Sequence, residues 1–239
     1  MINLHKYAFF FDFDGTLVDI VPNYKDIIIP GDLENLLNQL YIKCNGAVTI
    51  ITGRSISNIT NYLNTNLPIA GLHGSEYLEN GKVKTQALSK NFEKAKQYIK
   101  DMASPTLLVE DKHLNIAIHY NNSSKKLAIV LCQEALEKFQ LIDYHIQFSR
   151  NVIELKLKNF SKATAFRHFM DKSPFKNRIP ICFGDDITDE DMFGEALQYD
   201  GVAFQVTSTP PVNLKKNWPV IGSTAQLRQY LKHLLIEAQ

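Results

Sequence analysis

Residues Tyr7–Phe11 form an unbroken apolar run that leads straight into Asp12-Phe13-Asp14-Gly15-Thr16-Leu17. A strand that is apolar on both faces must be covered on both, which calls for a parallel sheet sandwiched by helices. Side chains alternate along a strand with period two, so Asp12 and Asp14 can leave the strand end on one side. Gly15 lets the chain turn sharply there. Two carboxylates at the carboxyl end of a buried strand are costly to desolvate, so they predict a site rather than core.

The same style recurs at both ends of the chain. Asp32–Leu40 has helical spacing, Ala47–Ile51 reads as a strand, and a helix follows near Ser55–Leu63. Pro68–Leu72 reads as a third strand. Much later come a helix over Ser161–Met170, a strand over Pro180–Phe183 and a helix over Asp189–Leu197. A strand at Val202–Val206 and a helix at Thr224–Leu235 close the chain. Short apolar strands alternating with helices predict an α/β fold with a parallel sheet.

The middle differs. A helix over Asn91–Met102 precedes strand-like runs at Thr106–Lys112 and Leu114–Tyr120. A helix over Ser124–Phe139 precedes two more, Tyr144–Phe148 and Val152–Lys158. Helix-strand-strand, repeated, predicts an antiparallel α+β domain. We place it at residues 78–158, inserted into a core made of 1–77 and 159–239. Leu114, Ile116 and Ile118 alternate with Asn115, Ala117 and His119; Ile153, Leu155 and Leu157 alternate with Glu154, Lys156 and Lys158. One face is therefore apolar and the other polar. The polar face is either a solvated exterior or the working face of a lid.

Composition narrows the class. A formal net charge of +1 implies neither a nucleic-acid partner nor an acidic membrane surface. Cys44, Cys132 and Cys182 are far apart and lack metal-ligand spacing, which argues for a reducing compartment and against a disulfide framework or a zinc site. The first residues lack the form of a signal peptide, and no run approaches the roughly 20 apolar residues of a membrane helix. The expected location is the cytoplasm.

Chemistry concentrates at the predicted strand ends: Asp12 and Asp14, Thr52-Gly53-Arg54, and Gly184-Asp185-Asp186-Ile187-Thr188-Asp189-Glu190. In an open parallel sheet these ends converge on one crevice. Lys162 would join them from a helix start. Several carboxylates, an ammonium, a hydroxyl and glycine-rich backbone suit a hard divalent cation and a phosphate. One aspartate would attack phosphorus and the other would shuttle the proton, which assigns Asp12 as nucleophile and Asp14 as acid/base. Each piece alone has a plainer reading. Asp-Phe-Asp-Gly could be a turn, although a calcium loop is excluded by Thr16 and the early glycine. The Asp185–Asp191 run could be a solvated helix start. His73 and His119 read as packing or hydrogen-bonding residues, not metal ligands.

Taken in order, Asp-Phe-Asp-Gly-Thr-Leu, Thr-Gly-Arg, Lys162 and Gly-Asp-Asp-x-Thr-Asp-Glu resemble the four motifs of the haloacid dehalogenase superfamily of phosphohydrolases. The nearer resemblance is to its trehalose-6-phosphate phosphatase family and spans nearly the whole chain. Gly71-Leu72-His73-Gly74-Ser75-Glu76, Glu110-Asp111-Lys112, His119-Tyr120 and Val152–Lys156 carry it. That resemblance implies a Rossmann-like core with an inserted cap, and Mg2+-dependent hydrolysis of a sugar phosphate, trehalose 6-phosphate foremost. It implies Thr52 on the phosphoryl group, Lys162 balancing its charge, and Asp14 presenting its main-chain carbonyl to Mg2+. Asp12 and Asp185 would share the metal, with Asp186 and Asp189 as ligands or orienters. Gly53, Arg54, Glu76, Lys112, His119 and Glu154 would meet the substrate. It further implies functional coupling to a trehalose-6-phosphate synthase. Asn121, Leu157 and Ala163 stand where the family usually has Arg, Pro and Gly, which bears on sugar choice. The alternatives are a phosphatase for sucrose phosphate or mannosyl-3-phosphoglycerate, or a catalytically silent subunit of a synthase complex.

Overall fold

The computed structural model describes residues 2–238 apart from 22, 24, 150 and 210–215. The chain opens with β1 (Tyr7–Phe11), α1 (Leu33–Lys43), β2 (Val48–Ile51), α2 (Ile56–Tyr62) and β3 (Ile69–Gly71). A hairpin follows, β4 (Glu76–Glu79) and β5 (Lys82–Thr85). Next come α3 (Lys90–Met102), β6 (Leu108–Asp111), β7 (Ile116–His119), α4 (Lys125–Lys138), β8 (Tyr144–Ser149) and β9 (Val152–Leu157). The chain ends with α5 (Lys162–Met170), β10 (Ile179–Gly184), α6 (Glu190–Gln198), β11 (Val202–Val206), β12 (Val220–Ile221) and α7 (Thr224–Glu237).

Two compact units result: Met1–Lys84 with Ser161–Gln239, and Thr85–Phe160. The first holds one sheet in the order β12-β11-β10-β1-β2-β3-β4-β5. Its strands from β12 to β3 pair in parallel, which is the Rossmann-like core expected from the alternating elements. The division falls after Lys84 rather than after residue 77, because β4 pairs antiparallel with β3 and extends the same sheet. Residues of β5 are all exposed, so burial leaves no pattern there; the signal that the sequence reading missed is Asn80-Gly81, a two-residue turn with φ +53° and +70° that joins β4 to β5.

Strand β1 shows why the apolar run needs two covers. Phe9 and Phe11 enter one cluster with residues of α1 and α7, while Ala8 and Phe10 enter another with residues of α5 and α6. Phe10 meets Phe166 with ring centroids 4.5 Å apart, and Phe11 stacks on Phe183 at 5.1 Å. Each such ring contributes about 1.5–3 kcal/mol by leaving water. This packing fixes the carboxyl end of β1, and with it Asp12.

The inserted unit carries the sheet β6-β7-β9-β8, antiparallel throughout. Ile116, Ile118, Ile153 and Leu155 pack on Phe92, Ala95, Ile99, Ala128 and Leu131 of α3 and α4, as the alternation predicts. The opposite face is not the solvated exterior that a polar pattern allows. Asn115 and Lys156 are fully buried and Glu154 nearly so.

Candidate active site

Asp12 follows β1 directly, and its backbone N–H donates to the carbonyl of Phe183 on β10 (2.8 Å). Lys162 is the first residue of α5, whose start is fixed by a Ser161–Thr164 capping box. Its ammonium reaches back to Asp12 Oδ1 and Asp189 Oδ1, both at 2.6 Å. Gly15, with φ +79°, turns the chain under the carboxylate of Asp185: a Cβ there would lie 2.4 Å from Asp185 Cγ. Gly184 is likewise obligatory, since a Cβ would fall 2.2 Å from Asp189 Cγ.

Asp12, Asp185 and Asp189 each bring a carboxylate oxygen within 4.8 Å of the others, and all three are buried. Burial pushes the Asp12 carboxyl up to about 7 against the pull of Lys162. Burial also raises Asp185 well above the usual carboxylate range, with Asp12 and Asp189 adding repulsion. Asp189 is raised by burial as well, although Lys162 opposes it. Three carboxylates facing one ammonium leave two negative charges, which a divalent cation would neutralise. An all-oxygen donor set suits Mg2+. The residues present therefore fit the ion.

Within the cluster the roles differ. Both oxygens of Asp189 are engaged, one by Lys162 and the other by the backbone N–H groups of Asp185 (3.1 Å) and Asp186 (3.0 Å). Asp189 thus orients its neighbours. Asp186 caps the turn Ile187–Asp189 by accepting from the Ile187 N–H at 2.8 Å. Asp189 is fully buried and Glu190 nearly so, which rules out a solvated helix start for them. Glu190 accepts from the Trp218 indole N–H at 2.9 Å.

Across the crevice, Thr52 Oγ1 accepts from the Arg54 N–H (3.1 Å), which shapes the loop after β2. Arg54 forks onto Asp14, Nε to Oδ2 at 2.7 Å and Nη2 to Oδ1 at 2.6 Å, and is steadied by Asn58 Oδ1 at 2.7 Å. Glu76 accepts from the Ile56 N–H at 2.9 Å and so ties β4 to the start of α2. Gly53 leaves room for His73: a Cβ would sit 2.8 Å from His73 Nε2. Leu72 and His73 both have left-handed backbone, φ +48° and +56°. Two consecutive non-glycine residues in that region store strain beside a site, a common mark of function.

The polar face of the inserted unit gathers its own set. Lys112 pairs with Glu154, with Glu110 at 3.9 Å, and His119 Nε2 lies 3.0 Å from Glu110 Oε2. Lys156 donates to Gln147 Oε1 at 3.0 Å. Asn121 Oδ1 accepts from the N–H groups of Ser123 and Ser124, both at 3.1 Å, and closes the turn into α4.

The core unit therefore brings together Asp12, Asp14, Thr52, Gly53, Arg54, Lys162, Asp185, Asp186 and Asp189, while Lys112, His119 and Glu154 meet inside the other unit. Asp14 and Asp186 stand outside the tight carboxylate group. The sequence reading missed Asn58, which steadies Arg54, and Gln205, whose amide N–H donates to the carbonyl of Asp185. Gln205 had a signal available: it is the one polar residue in the strand Val-Ala-Phe-Gln-Val.

A family described as trehalose-phosphatase matches residues 10–220. A Sinorhizobium fredii protein named "Probable trehalose-phosphate phosphatase" is 31% identical over 242 residues, covering 98% of this chain and 89% of its own. The Escherichia coli protein named "Trehalose-6-phosphate phosphatase" is 29% identical over 209 residues, 84% of this chain and 77% of its own. Among solved structures, the C-terminal domain of the C. albicans trehalose-6-phosphate phosphatase superposes with a TM-score of 0.81 at 21% identity, covering 97% of this chain and 92% of that one.

Proposed function

Because the chain belongs to the trehalose-phosphatase family, we propose that it hydrolyses trehalose 6-phosphate to trehalose and phosphate with the help of Mg2+. The observation that carries the reading is the buried cluster of Asp12, Asp185 and Asp189 against Lys162 at the strand ends. When bound, the cation polarises a phosphoryl oxygen and offsets the charge of the transferring group.

Asp12 and Asp185 would hold the ion. An Asp12 carboxylate oxygen attacks phosphorus, and the bond from phosphorus to the sugar oxygen breaks. Asp14, freed from Arg54 and carrying a proton taken up from solvent, gives that proton to the departing oxygen. It then takes a proton from the water that attacks phosphorus, and the bond to Asp12 breaks to release phosphate. Lys162 keeps Asp12 aimed and balances the oxygens in flight. Thr52 accepts from Arg54, which leaves its own O–H to donate to the phosphoryl group. The Arg54 fork holds Asp14 in place before substrate arrives and must release it for proton transfer.

In the inserted unit, Lys112, His119 and Glu154 would read sugar hydroxyls, supported by the partly buried and mutually paired polar face on which they lie. Asn121 is committed to a turn and offers no guanidinium there. The three cysteines are unpaired, which supports a reducing compartment and hence the cytoplasm. No helix among the described residues is long and apolar enough to cross a membrane. Coupling to a trehalose-6-phosphate synthase that supplies the substrate belongs to the same proposal.

A panel of sugar phosphates, assayed by phosphate release with Mg2+ and with a chelator, tests the reading. Trehalose 6-phosphate should be the preferred substrate and the chelator should abolish turnover. Faster hydrolysis of sucrose phosphate or mannosyl-3-phosphoglycerate at equal concentration would reassign the sugar.

A further inference from the structure

Gln205 is fully buried near the end of β11, a strand otherwise made of Val, Ala and Phe. Its backbone is fixed on both sides. It stands opposite Gly184 on β10, and its N–H donates to the carbonyl of Pro219 at 2.8 Å. From that fixed base the side-chain amide N–H donates to the main-chain carbonyl of Asp185. The amide oxygen of Gln205 finds no partner among the described residues. A buried acceptor without a donor destabilises a fold, whereas an apolar side chain of the same shape would not. Among the described residues the amide's one bond goes to the Asp185 carbonyl, so the reason for an amide here lies at Asp185.

Asp185 gives the reason. Its N–H is held by Asp189 Oδ2 at 3.1 Å, and its carbonyl is held by Gln205. Gripped at both backbone poles, residue 185 carries its carboxylate toward Asp12 and Asp189, across the space that Gly15 leaves open. We propose that Gln205 is a positioning residue for the cation: it fixes the Asp185 peptide so that the carboxylate is ready for Mg2+ before the ion arrives. The proposal rests on Asp185 as a ligand, which is part of the function proposed above, but not on the identity of the sugar.

Outer partners that orient a ligand typically change metal affinity by about 10–100-fold when removed. The test uses the full chain, stripped of metal, and Mg2+ alone as the titrant in calorimetry. Gln205→Met keeps length and volume but removes the donor. Gln205→Glu keeps the shape and turns an oxygen toward the carbonyl. Both should weaken Mg2+ binding about tenfold or more. Gln205→Met trades the orphaned amide oxygen for an unpaired Asp185 carbonyl, so the melting temperature of the metal-free protein should change little. In the phosphatase assay the loss should be recovered by raising Mg2+, with the KM for sugar phosphate unmoved. A merely structural residue would show the reverse: a lower metal-free melting temperature and unchanged Mg2+ affinity in the folded fraction. That result overturns the proposal, as does wild-type affinity in either folded variant. If Gln205→Met does not fold, the amide is needed for folding and the proposal also falls. Failure of the wild type to hydrolyse trehalose 6-phosphate while it still binds Mg2+ would sink the sugar reading and leave this one standing.

Discussion

Gly15→Ala is the sharpest small perturbation that the site offers. The added methyl carbon would lie 2.4 Å from Asp185 Cγ, where ordinary contact begins at 3.4 Å. The difference, 3.4 − 2.4, is a displacement of 1.0 Å that one side must make. The backbone cannot easily make it, because φ is +79° and Phe9–Phe13 are locked in the core. A left-handed alanine adds about 1–2 kcal/mol of strain. Asp185 therefore moves, and a misplacement of that size at a reacting centre costs on the order of 100-fold in rate. The assay is phosphate release from trehalose 6-phosphate across a Mg2+ titration, with circular dichroism to confirm the fold. Gly31→Ala is the control, since nothing lies within 4 Å of its added carbon. We expect about a 100-fold lower kcat and weaker Mg2+ affinity for Gly15→Ala, and wild-type behaviour for Gly31→Ala. A Gly15→Ala enzyme with wild-type rate and Mg2+ affinity would refute the geometry.

Asp12→Asn should lower turnover by more than about 1,000-fold while raising the metal-free melting temperature at pH 8, because a desolvated carboxylate is replaced by a neutral amide; retained turnover removes Asp12 as nucleophile. The Asp12 carboxyl titrates near 7 when folded and near 3.8 when free, so its burial costs nothing below pH 3.8, costs more between 3.8 and 7, and is fully unfavourable above that. Asp185 and Asp189 shift in the same direction. The melting temperature of the metal-free protein should therefore fall as pH rises from 5 to 8, and Mg2+ should flatten the fall; a metal-free protein whose stability is constant or rises over that window contradicts the electrostatics. Lys112→Ala or Glu154→Ala should depress kcat/KM for trehalose 6-phosphate about tenfold or more, as expected for unpairing a buried charge-assisted contact, and spare a small aryl phosphate. Equal loss on both substrates would mean that this polar face does not read sugar.

The core was legible because its determinants are local. Tyr7–Phe11 and Val202–Val206 were placed to the residue, since each is a short, mostly apolar run rich in aromatic and β-branched residues next to an acid or a glycine. The Glu76–Thr85 hairpin was missed because its second strand lies wholly exposed and carries no burial pattern, although Asn80-Gly81 between the strands marks the turn. The site residues were visible as a set of motifs, but their division of labour was not. Nothing in Gly-Asp-Asp-x-Thr-Asp says that Asp189 spends both oxygens on Lys162 and two backbone N–H groups, because that depends on a lysine 27 residues earlier. Alternation in the inserted unit located the polar face correctly yet could not show its burial. Charge pairs between strands, such as Lys112 with Glu154, are set by register and not by composition.

The central claim is that Asp12 attacks phosphorus and is released by water in a second displacement. The stereochemical course at phosphorus tests it most directly, using a trehalose 6-phosphorothioate made chiral with two oxygen isotopes and hydrolysed in water of the third, so that chiral inorganic thiophosphate is released. Two in-line displacements predict retention of configuration. Inversion would mean that water attacks the substrate directly, and Asp12 would then be a metal ligand only.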